Sequence, residues 1–301
     1  MSNQPFYDYE RGGYAQNAPQ SPGPARRPVA RTAPQRKKRF WPVVVLALLL
    51  FTAAVAVILM MLGAFSGSGT QPNANVAEAP RQQAGLPAGG PPYVVALDAG
   101  HGGNDVGAEG VIQEIEMTEK TVACLYQLLE DDANFTPVLC REAGQGATID
   151  ERVARAKDAG AALLLSVHGN SDPTYASTTG FECFPQPPGR THHDAGLTFA
   201  NYIAEEMRAA GAGTRGDYGV RYLYFIDQGN GNYERMYREV SDTSTYSDAT
   251  LGILERASCP AVLAEQCYIT NEADVRAFAS DTGCQTAADS YYSAICRYFG
   301  V

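Results

Sequence analysis

The sequence predicts an α/β fold: a single three-layer domain with a mixed, mostly parallel sheet and helices on both faces, preceded by one transmembrane helix. Two observations lead to this prediction. From residue 93 onward, short apolar runs of strand length alternate with segments whose apolar residues recur at helical spacing, the pattern of an α/β domain. Before that region, residues 41–65 carry no charge and exceed the roughly 20 apolar residues that a membrane-spanning helix needs.

The N-terminal segments indicate an anchored protein. Residues 1–39 are rich in Pro, Gln, Gly and Arg, cannot bury a core, and should form a disordered basic tail. Residues 40–65 favour an uncleaved signal anchor, because the apolar core of a cleaved signal peptide spans only about 7–15 residues. The basic cluster at 36–39 keeps the tail in the cytoplasm by the positive-inside rule. We therefore expect a single-pass protein of the cytoplasmic membrane whose later residues lie on the extracytoplasmic side.

A linker and a change of charge separate the anchor from the outer domain. Residues 66–92 are mostly small residues, Pro and Gln, as in a flexible linker. The first 40 residues hold eight Lys and Arg against two Asp and Glu, which leaves 15 basic and 31 acidic residues for the rest of the chain. This acidic excess excludes general nucleic-acid binding, which needs a basic face.

All seven cysteines follow residue 120, and none forms a CxxC pair. An odd number leaves a monomer with at least one free thiol. The four cysteines from Cys259 onward could supply one or two disulfide bridges, whose pairing the sequence does not give.

Residues 93–301 divide into strands and helices by their periodicity. Strands are predicted at 93–98, 135–141, 162–168, 180–184, 222–226 and 261–266. Helices are predicted at 117–129, 148–159, 195–210 and 286–299. Thr148 and Glu151 have the spacing of a capping box and mark where the second helix begins.

Four polar residues gather at one predicted edge of the sheet. His101 follows the first strand in a Gly-rich turn, His168 ends the strand at 162–168, Glu265 lies near the end of the strand at 261–266, and Glu114 precedes the first helix. Sites in open α/β sheets form at the carboxyl ends of the strands. Two histidines and one glutamate are the protein ligands of a catalytic zinc, and a further carboxylate can move protons.

The residues alone leave alternatives open. A lone histidine at a strand end is more often a hydrogen-bonded structural residue, and Glu116 and Glu119 compete with Glu114. His192 and His193 are a second possible metal pair, but their Pro- and Gly-flanked loop indicates exposed side chains.

The motifs resemble those of a known family. LDAGHGGNDVGAEG, then EIEMT, SVHGN and PAVLAEQCYITN, occur in the order found in the zinc-dependent N-acetylmuramoyl-L-alanine amidases of the Amidase_3 family. The resemblance covers residues 94–300. It implies that His101, Glu114 and His168 bind Zn²⁺ and that Glu265 is the catalytic carboxylate. Glu114 fits because Thr118 then occupies the motif's last position.

Further residues match more weakly. The resemblance implies substrate-binding roles for Asn170, in SVHGN, and for Arg215, in a landmark before Gly216. Arg141 and the stretch 151–153 also match, the latter as a structural element. Cys267 and Tyr268 depart from the family's Gly-Phe without touching a ligand.

The resemblance implies a membrane-anchored peptidoglycan hydrolase. It would cut the amide between N-acetylmuramic acid and L-alanine, in cell-wall remodelling or cell separation. One alternative is a catalytically silent module that binds the wall or regulates other hydrolases, and another is a zinc peptidase or deacetylase. The Tyr-rich stretch 213–248 is interpreted as either a lid near the substrate or a surface excursion, and an occluded cleft would call for an activator protein.

Overall fold

The computed structural model describes residues 89–301. The predicted tail, the predicted anchor at 40–65 and nearly all of the predicted linker lie outside these residues, so these segments stay predictions. Within 89–301, no helix is both long enough and apolar enough to cross a membrane.

The described residues alternate strands and helices as predicted. The strands are β1 (Tyr93–Ala99), β2 (Phe135–Leu139), β3 (Leu163–Asn170), β4 (Glu182–Pro185), β5 (Arg221–Asp227), β6 (Tyr233–Glu239) and β7 (Ala261–Tyr268). The helices are α1 (Glu114–Glu130), α2 (Ile149–Asp158), α3 (His193–Ala209), α4 (Gly252–Arg256), α5 (Glu272–Asp274) and α6 (Asp281–Phe299). A π-helical turn, Val275–Ala279, continues α5.

Five strands form the central sheet in the order β2-β1-β3-β7-β4. The first four are parallel, and β4 pairs antiparallel with β7 at the edge. The sheet is therefore mixed and mostly parallel, as predicted. β1 is central to the fold because it pairs with both β2 and β3.

Alternation along the strands divides the core between two faces. Val95 and Leu97 of β1 join a core cluster with α1, α3 and α6, whereas Ala96 joins a second cluster with α2, α4 and the β5–β6 hairpin. In β7, Val262 and Ala264 belong to the first cluster and Leu263 to the second. Because successive side chains of a strand point to opposite faces, Ala261, Leu263 and Glu265 share the second face, and the alternation changes only after Glu265, where the β3–β7 register shifts and Cys267 joins the first cluster. Glu265 lies on that face, beside Leu263.

Helices cover both faces of the sheet, and their boundaries lie close to those predicted. The predicted capping box is confirmed: Glu151 N donates to Thr148 Oγ1 at 3.3 Å, and Thr148 N donates to Glu151 Oε2 at 2.8 Å. The helix α6 ends where Gly300 takes a left-handed conformation (φ 72°), which a glycine adopts without a Cβ penalty. Both α1 and α6 begin several residues earlier than their apolar patterns indicated.

The stretch between 213 and 248 contains an antiparallel hairpin of β5 and β6. The strand predicted at 222–226 is confirmed, and its partner β6 was not predicted. The β6 segment, YERMYRE, has its charged residues in adjacent pairs and no buried residue, so it lacks the alternation that signals a strand. Leu223 and Phe225 of β5 are buried in the second core cluster, and Tyr222 and Tyr224 on the opposite side of the strand are buried as well, so β5 packs on the domain through both of its sides.

All seven cysteines are free thiols, so the one or two bridges that the four cysteines from Cys259 onward could have supplied are not formed. Five of them are buried, where they pack as small apolar residues.

Candidate metal centre

Two histidines and a glutamate converge at the carboxyl edge of the sheet. Nε2 of His101 and Nδ1 of His168 lie 3.0 and 3.1 Å from the same oxygen, Oε1 of Glu114. The candidate ligand atoms of the three residues all lie within 4.8 Å of one another. Glu114 begins α1, His101 follows β1, and His168 lies near the end of β3. The structure thus brings together the three residues that the sequence analysis assigned to zinc.

The loop after β1 aims His101 at this cluster. His101 has a φ of 62°, the only positive φ of a non-glycine residue within 89–301. This left-handed conformation costs a residue with a Cβ about 1–3 kcal/mol, so the surrounding contacts must enforce it. Nδ1 of His101 lies 3.0 Å from Asp105 Oδ2, which leaves Nε2 for the cluster.

Two buried arginines hold the backbone of the same loop. Arg141 donates to the carbonyl oxygens of Ala99 at 2.7 Å and Gly100 at 3.1 Å. Arg152 donates to Ala99 O at 2.7 Å, to His101 O and to the buried carboxylate of Asp98, at 2.8 Å. The strained loop therefore has fixed partners for its carbonyl groups. The structural role expected of residues 151–153 agrees with these contacts.

Backbone groups fix the carboxylate of Glu114. Ala108 N donates to Oε2 at 3.0 Å, and Gly169 N donates to Oε1 at 2.8 Å. The two competing glutamates have other partners: Glu116 accepts from Gln113 N at the start of α1, and Glu119 binds Arg141 and Gly144 N. Geometry thus separates Glu114 from Glu116 and Glu119, which spacing alone did not.

Glycines let the backbone approach the cluster closely. A Cβ on Gly100 would lie 2.4 Å from Cε1 of His168, and a Cβ on Gly107 would lie 2.6 Å from Cδ2 of His101. Real Cβ atoms do not approach other atoms so closely. The Gly-rich sequence of this loop therefore has a steric cause.

Glu265 faces the cluster from β7. It is the register partner of His168 across the β3–β7 pair and of Glu182 across the β4–β7 pair. Its Oε2 is buried and has no hydrogen-bond partner in the protein. Burial raises the pKa of Glu265 to about 7, with Glu114 and Glu182 adding to the rise and the two histidines opposing it. A carboxyl group with such a pKa exchanges protons readily near neutral pH.

The cluster itself has strongly perturbed pKa values. Burial opposes protonation of His101, but hydrogen bonds and charge from Glu114 and Asp105 outweigh it and raise the pKa of His101 to about 9. Burial also opposes protonation of His168, but its hydrogen bond to Glu114 together with the negative charges of Glu114 and Glu265 raises its pKa. Burial opposes ionisation of Glu114, but its hydrogen bonds to the two histidines hold its pKa well below the usual range.

The donor set fits a catalytic zinc. Two imidazoles and one carboxylate are a known ligand set, with the remaining position open to water or substrate. Metal-binding histidines commonly give their other ring nitrogen to a carboxylate, the contact that His101 makes with Asp105. One ring nitrogen of His101 and one of His168 also lie within hydrogen-bond distance of the same oxygen of Glu114. A cation bound between these three atoms can replace the protons that they would otherwise share.

The other predicted site residues lie around this centre with different environments. Asn170 lines the cavity in front of the cluster, and its Nδ2 donates to Glu182 Oε1 at 2.6 Å. Arg215 does not line the cavity; its Nε lies 3.2 Å from Glu182 Oε1, and its guanidinium lies over the ring of Tyr268.

His192 and His193 do not join the cluster, but the expectation that they are exposed is wrong. Both are half-buried. His193 begins α3, and its Nδ1 donates to Gln186 O at 2.9 Å. The ring of His193 also packs near that of Tyr222, with centroids 5.6 Å apart.

A cavity of about 510 Å³ opens in front of the cluster. One side is polar and carries the cluster, Asp98, Asp105 and Glu265. The rest of the lining is largely apolar, with one charged residue, Arg235 of β6, and includes Phe184, Leu223, Tyr237, Leu251, Ile253 and Leu263. The stretch 213–248 thus supplies part of a wall and leaves space in front of the cluster.

Sequence analysis missed three residues that organise the site. Asp105 orients His101, and Glu182 joins Asn170, Arg215 and Arg221. Asp105 lies four residues after His101, a spacing that could have indicated it. Glu182 and Arg221 become neighbours only through the pairing of β4 beside the hairpin, for which the sequence offers no local signal.

Comparisons with known proteins agree with this architecture. The Amidase_3 family model, described as N-acetylmuramoyl-L-alanine amidase, matches residues 95–297. The protein YqiI of Bacillus subtilis is 30% identical over 223 residues, which are 73% of this chain and 91% of that protein. The amidase AmiC of Escherichia coli is 24% identical over 231 residues, and the chain spans about half of its length, 53%.

Solved structures share the fold. The catalytic domain of CwlV, an N-acetylmuramoyl-L-alanine amidase from Paenibacillus polymyxa, has a TM-score of 0.55 and 23% identity, over 69% of this chain and 99% of that one. The amidase CwlD of Clostridioides difficile, solved in complex with the lipoprotein GerS, has a TM-score of 0.53 and 19% identity, over 69% and 98%. Because the family match covers most of residues 89–301, the chain belongs to the Amidase_3 family of N-acetylmuramoyl-L-alanine amidases.

Proposed function

We propose that this protein is a zinc-dependent peptidoglycan amidase. It hydrolyses the amide between N-acetylmuramic acid and the L-alanine of the stem peptide. The observation that carries the proposal is the convergence of His101, His168 and Glu114 beside the partnerless carboxylate oxygen of Glu265. The family match indicates which bond is hydrolysed.

The zinc ion would be held at the carboxyl edge of the sheet by His101, Glu114 and His168. When bound, zinc supplies Lewis acidity that favours ionisation of water and stabilises negative charge on a carbonyl oxygen. Asp105 holds His101 with Nε2 facing inward, and Ala108 and Gly169 hold the carboxylate of Glu114. Little reorganisation is then needed when the ion enters.

Glu265 carries the protons of the reaction. As a carboxylate it takes a proton from the water that attacks the amide carbonyl carbon. The C–N bond then breaks, and Glu265 gives the proton to the departing nitrogen of L-alanine. A pKa of about 7 suits a group that must act first as a base and then as an acid.

The location of the reaction is part of the proposal. The uncharged segment at 40–65 and the basic cluster before it support a single membrane anchor with the amidase domain on the extracytoplasmic side. A linker at 66–92 would let the domain reach peptidoglycan. The solved complex of CwlD with GerS supports testing for a protein partner as well.

Product analysis tests the proposal. The purified full-length chain is incubated with peptidoglycan, with and without a metal chelator, and the soluble products are identified by mass spectrometry. We expect stem peptides with a free L-alanine amino group, and their release should stop with chelator and return with added zinc. Products cut at a glycosidic or a peptide–peptide bond would contradict the proposed activity. Zinc-loaded protein that binds the wall without cutting it would instead indicate a binding module.

A further inference from the structure

The hairpin side of the cavity presents one aromatic ring to the space in front of the cluster. Tyr237 of β6 lines the cavity and is 37% exposed, one of few large apolar side chains within 89–301 to be so exposed. Its ring centroid lies 6.1 Å from that of Phe184, which anchors it to β4. Removing apolar surface from water is favourable, so a ligand that covers this ring gains binding free energy.

The arginine of an ion pair, Arg221 with Glu182, lies over this ring and holds it in place. The guanidinium of Arg221 lies 4.6 Å from the centroid of Tyr237. Arg221 Nε in turn donates at 2.9 Å to Oε2 of Glu182, a carboxylate that is 1% exposed. Glu182 is also the register partner of Glu265 on β7. The contacts from Tyr237 to Arg221 and from Arg221 to Glu182 therefore end beside the strand that carries the proposed catalytic carboxylate.

The apolar surroundings define what the ring can bind. Leu223 is the register partner of Tyr237, and Phe184 is the register partner of Leu263; all four line the cavity, and Arg235 of β6 is the charged residue beside them. A flat aromatic ring among aliphatic side chains offers van der Waals contact to a flat, weakly polar face. Pyranose rings have such a face, made of their axial C–H groups. The methyl groups of a lactyl or alanyl unit are too small to cover a phenol ring.

We propose that Tyr237 is a stacking platform for the sugar ring on the acyl side of the amide that is cut. The assignment rests on the proposed function, because it takes the muramoyl group as the acyl part of the substrate. Tyr237 contacts the substrate, while Arg221 and Glu182 position its ring. A ring that is already fixed loses little conformational entropy on binding, so its contact area contributes more fully to affinity.

Two substrates with the same amide test this role. One is a muramoyl-peptide, and the other is the matching lactoyl-peptide, which lacks the sugar. In the full-length, zinc-loaded protein, Tyr237→Ala should lower the ratio of kcat/KM for the muramoyl-peptide to kcat/KM for the lactoyl-peptide about tenfold, the size expected for one aromatic contact and its buried area. Tyr237→Phe should keep the ratio because the ring remains, and Tyr237→Leu should lower it because only a flat ring stacks.

Tyr218 provides a matched control. It is also exposed, at 61%, and also lies under an arginine, with Arg208 5.9 Å from its centroid, but it does not line the cavity. Tyr218→Ala should leave the ratio unchanged. If Tyr237→Ala leaves the ratio unchanged, either because neither kcat/KM value falls or because both fall equally, the sugar assignment is overturned.

A binding measurement separates this inference from the proposed activity. The dissociation constant of the muramoyl-peptide is measured in a Glu265→Gln background, with and without Tyr237→Leu. A roughly tenfold weaker binding with Tyr237→Leu supports the platform even if the wild-type protein cleaves neither substrate. Equal binding overturns it, whatever the wild-type protein cleaves.

Discussion

The two sides of the cavity are built in different ways. On the sheet side, Asp98 and Glu114 are buried and have several fixed partners, as Asp98 has in Arg152 and in Ser166 Oγ at 2.7 Å. Glu265, whose Oε2 atom is buried, lines the cavity beside them. On the hairpin side, Tyr237 is partly exposed and is held by the ring of Phe184 and by the guanidinium of Arg221. The comparison teaches that the proposed proton-transfer and metal-binding groups are fixed by the core of the fold, whereas the proposed substrate contact lies on the β5–β6 hairpin. Variants on the sheet side should therefore have the larger effects.

Replacement of the proposed proton carrier should have the largest effect. Glu265→Gln keeps the size of the side chain but cannot accept a proton from water, so we expect kcat to fall by about 10²–10⁴-fold. Zinc content should stay at the wild-type level because Glu265 is not in the proposed ligand set. Steady-state kinetics and elemental analysis of the same sample measure both. Undiminished kcat would remove Glu265 from the mechanism.

Loss of a loop clamp should be the next largest effect. Arg152→Gln leaves the carboxylate of Asp98 buried without its ion-pair partner, which typically costs about 3–5 kcal/mol in the free energy of unfolding. Arg155, on the same helix, makes only an exposed 3.6 Å contact with Glu142, so Arg155→Gln should change stability by less than about 1 kcal/mol. Chemical denaturation of both variants tests the difference, and similar losses would show that burial of the pair is unimportant.

Crowding at the cluster should have a smaller but specific effect. Gly100→Ala places a methyl group against the ring of His168 and should lower zinc affinity by about 10–100-fold, as other disturbances around metal ligands do. At Gly213 a Cβ would meet nothing within 4 Å, so Gly213→Ala should bind zinc like the wild-type protein. Competition with a chelating dye measures both affinities. Wild-type affinity in Gly100→Ala would mean that His168 does not bind the ion.

The pH dependence of zinc binding should follow the histidines. In the metal-free protein His101 has a pKa raised to about 9, so it is protonated at neutral pH and must lose that proton to bind zinc. Zinc affinity should therefore rise with pH up to about 9, by roughly tenfold per pH unit for each proton released. Calorimetric titrations at several pH values measure the slope. An affinity independent of pH between 7 and 9 would contradict a role for His101.

The sequence predicted the sheet side of the cavity well because its signals are local. The apolar run before His168 and the one around Glu265 identified two neighbouring strands, and sites form where parallel strands end. The family resemblance then assigned Glu114, and the structure explains that choice through the backbone amides of Ala108 and Gly169.

The hairpin side was less predictable because it depends on long-range pairing. The tyrosines of 213–248 were noticed, but nothing in their spacing showed that Tyr237 lines the cavity while Tyr218 does not. The contact between Glu182 and Arg221 joins residues 39 positions apart. The burial of His193 likewise depends on Gln186 and Tyr222, which only the folded chain brings near.

The zinc content of matched variants tests the central claim most directly. Elemental analysis of the purified wild-type, His168→Ala and Glu265→Gln proteins, paired with the amidase assay, separates metal binding from proton transfer. We predict zinc at one ion per chain in the wild-type and Glu265→Gln proteins, little zinc in His168→Ala, and activity only in the wild type. Full zinc content together with wild-type activity in His168→Ala would contradict the account.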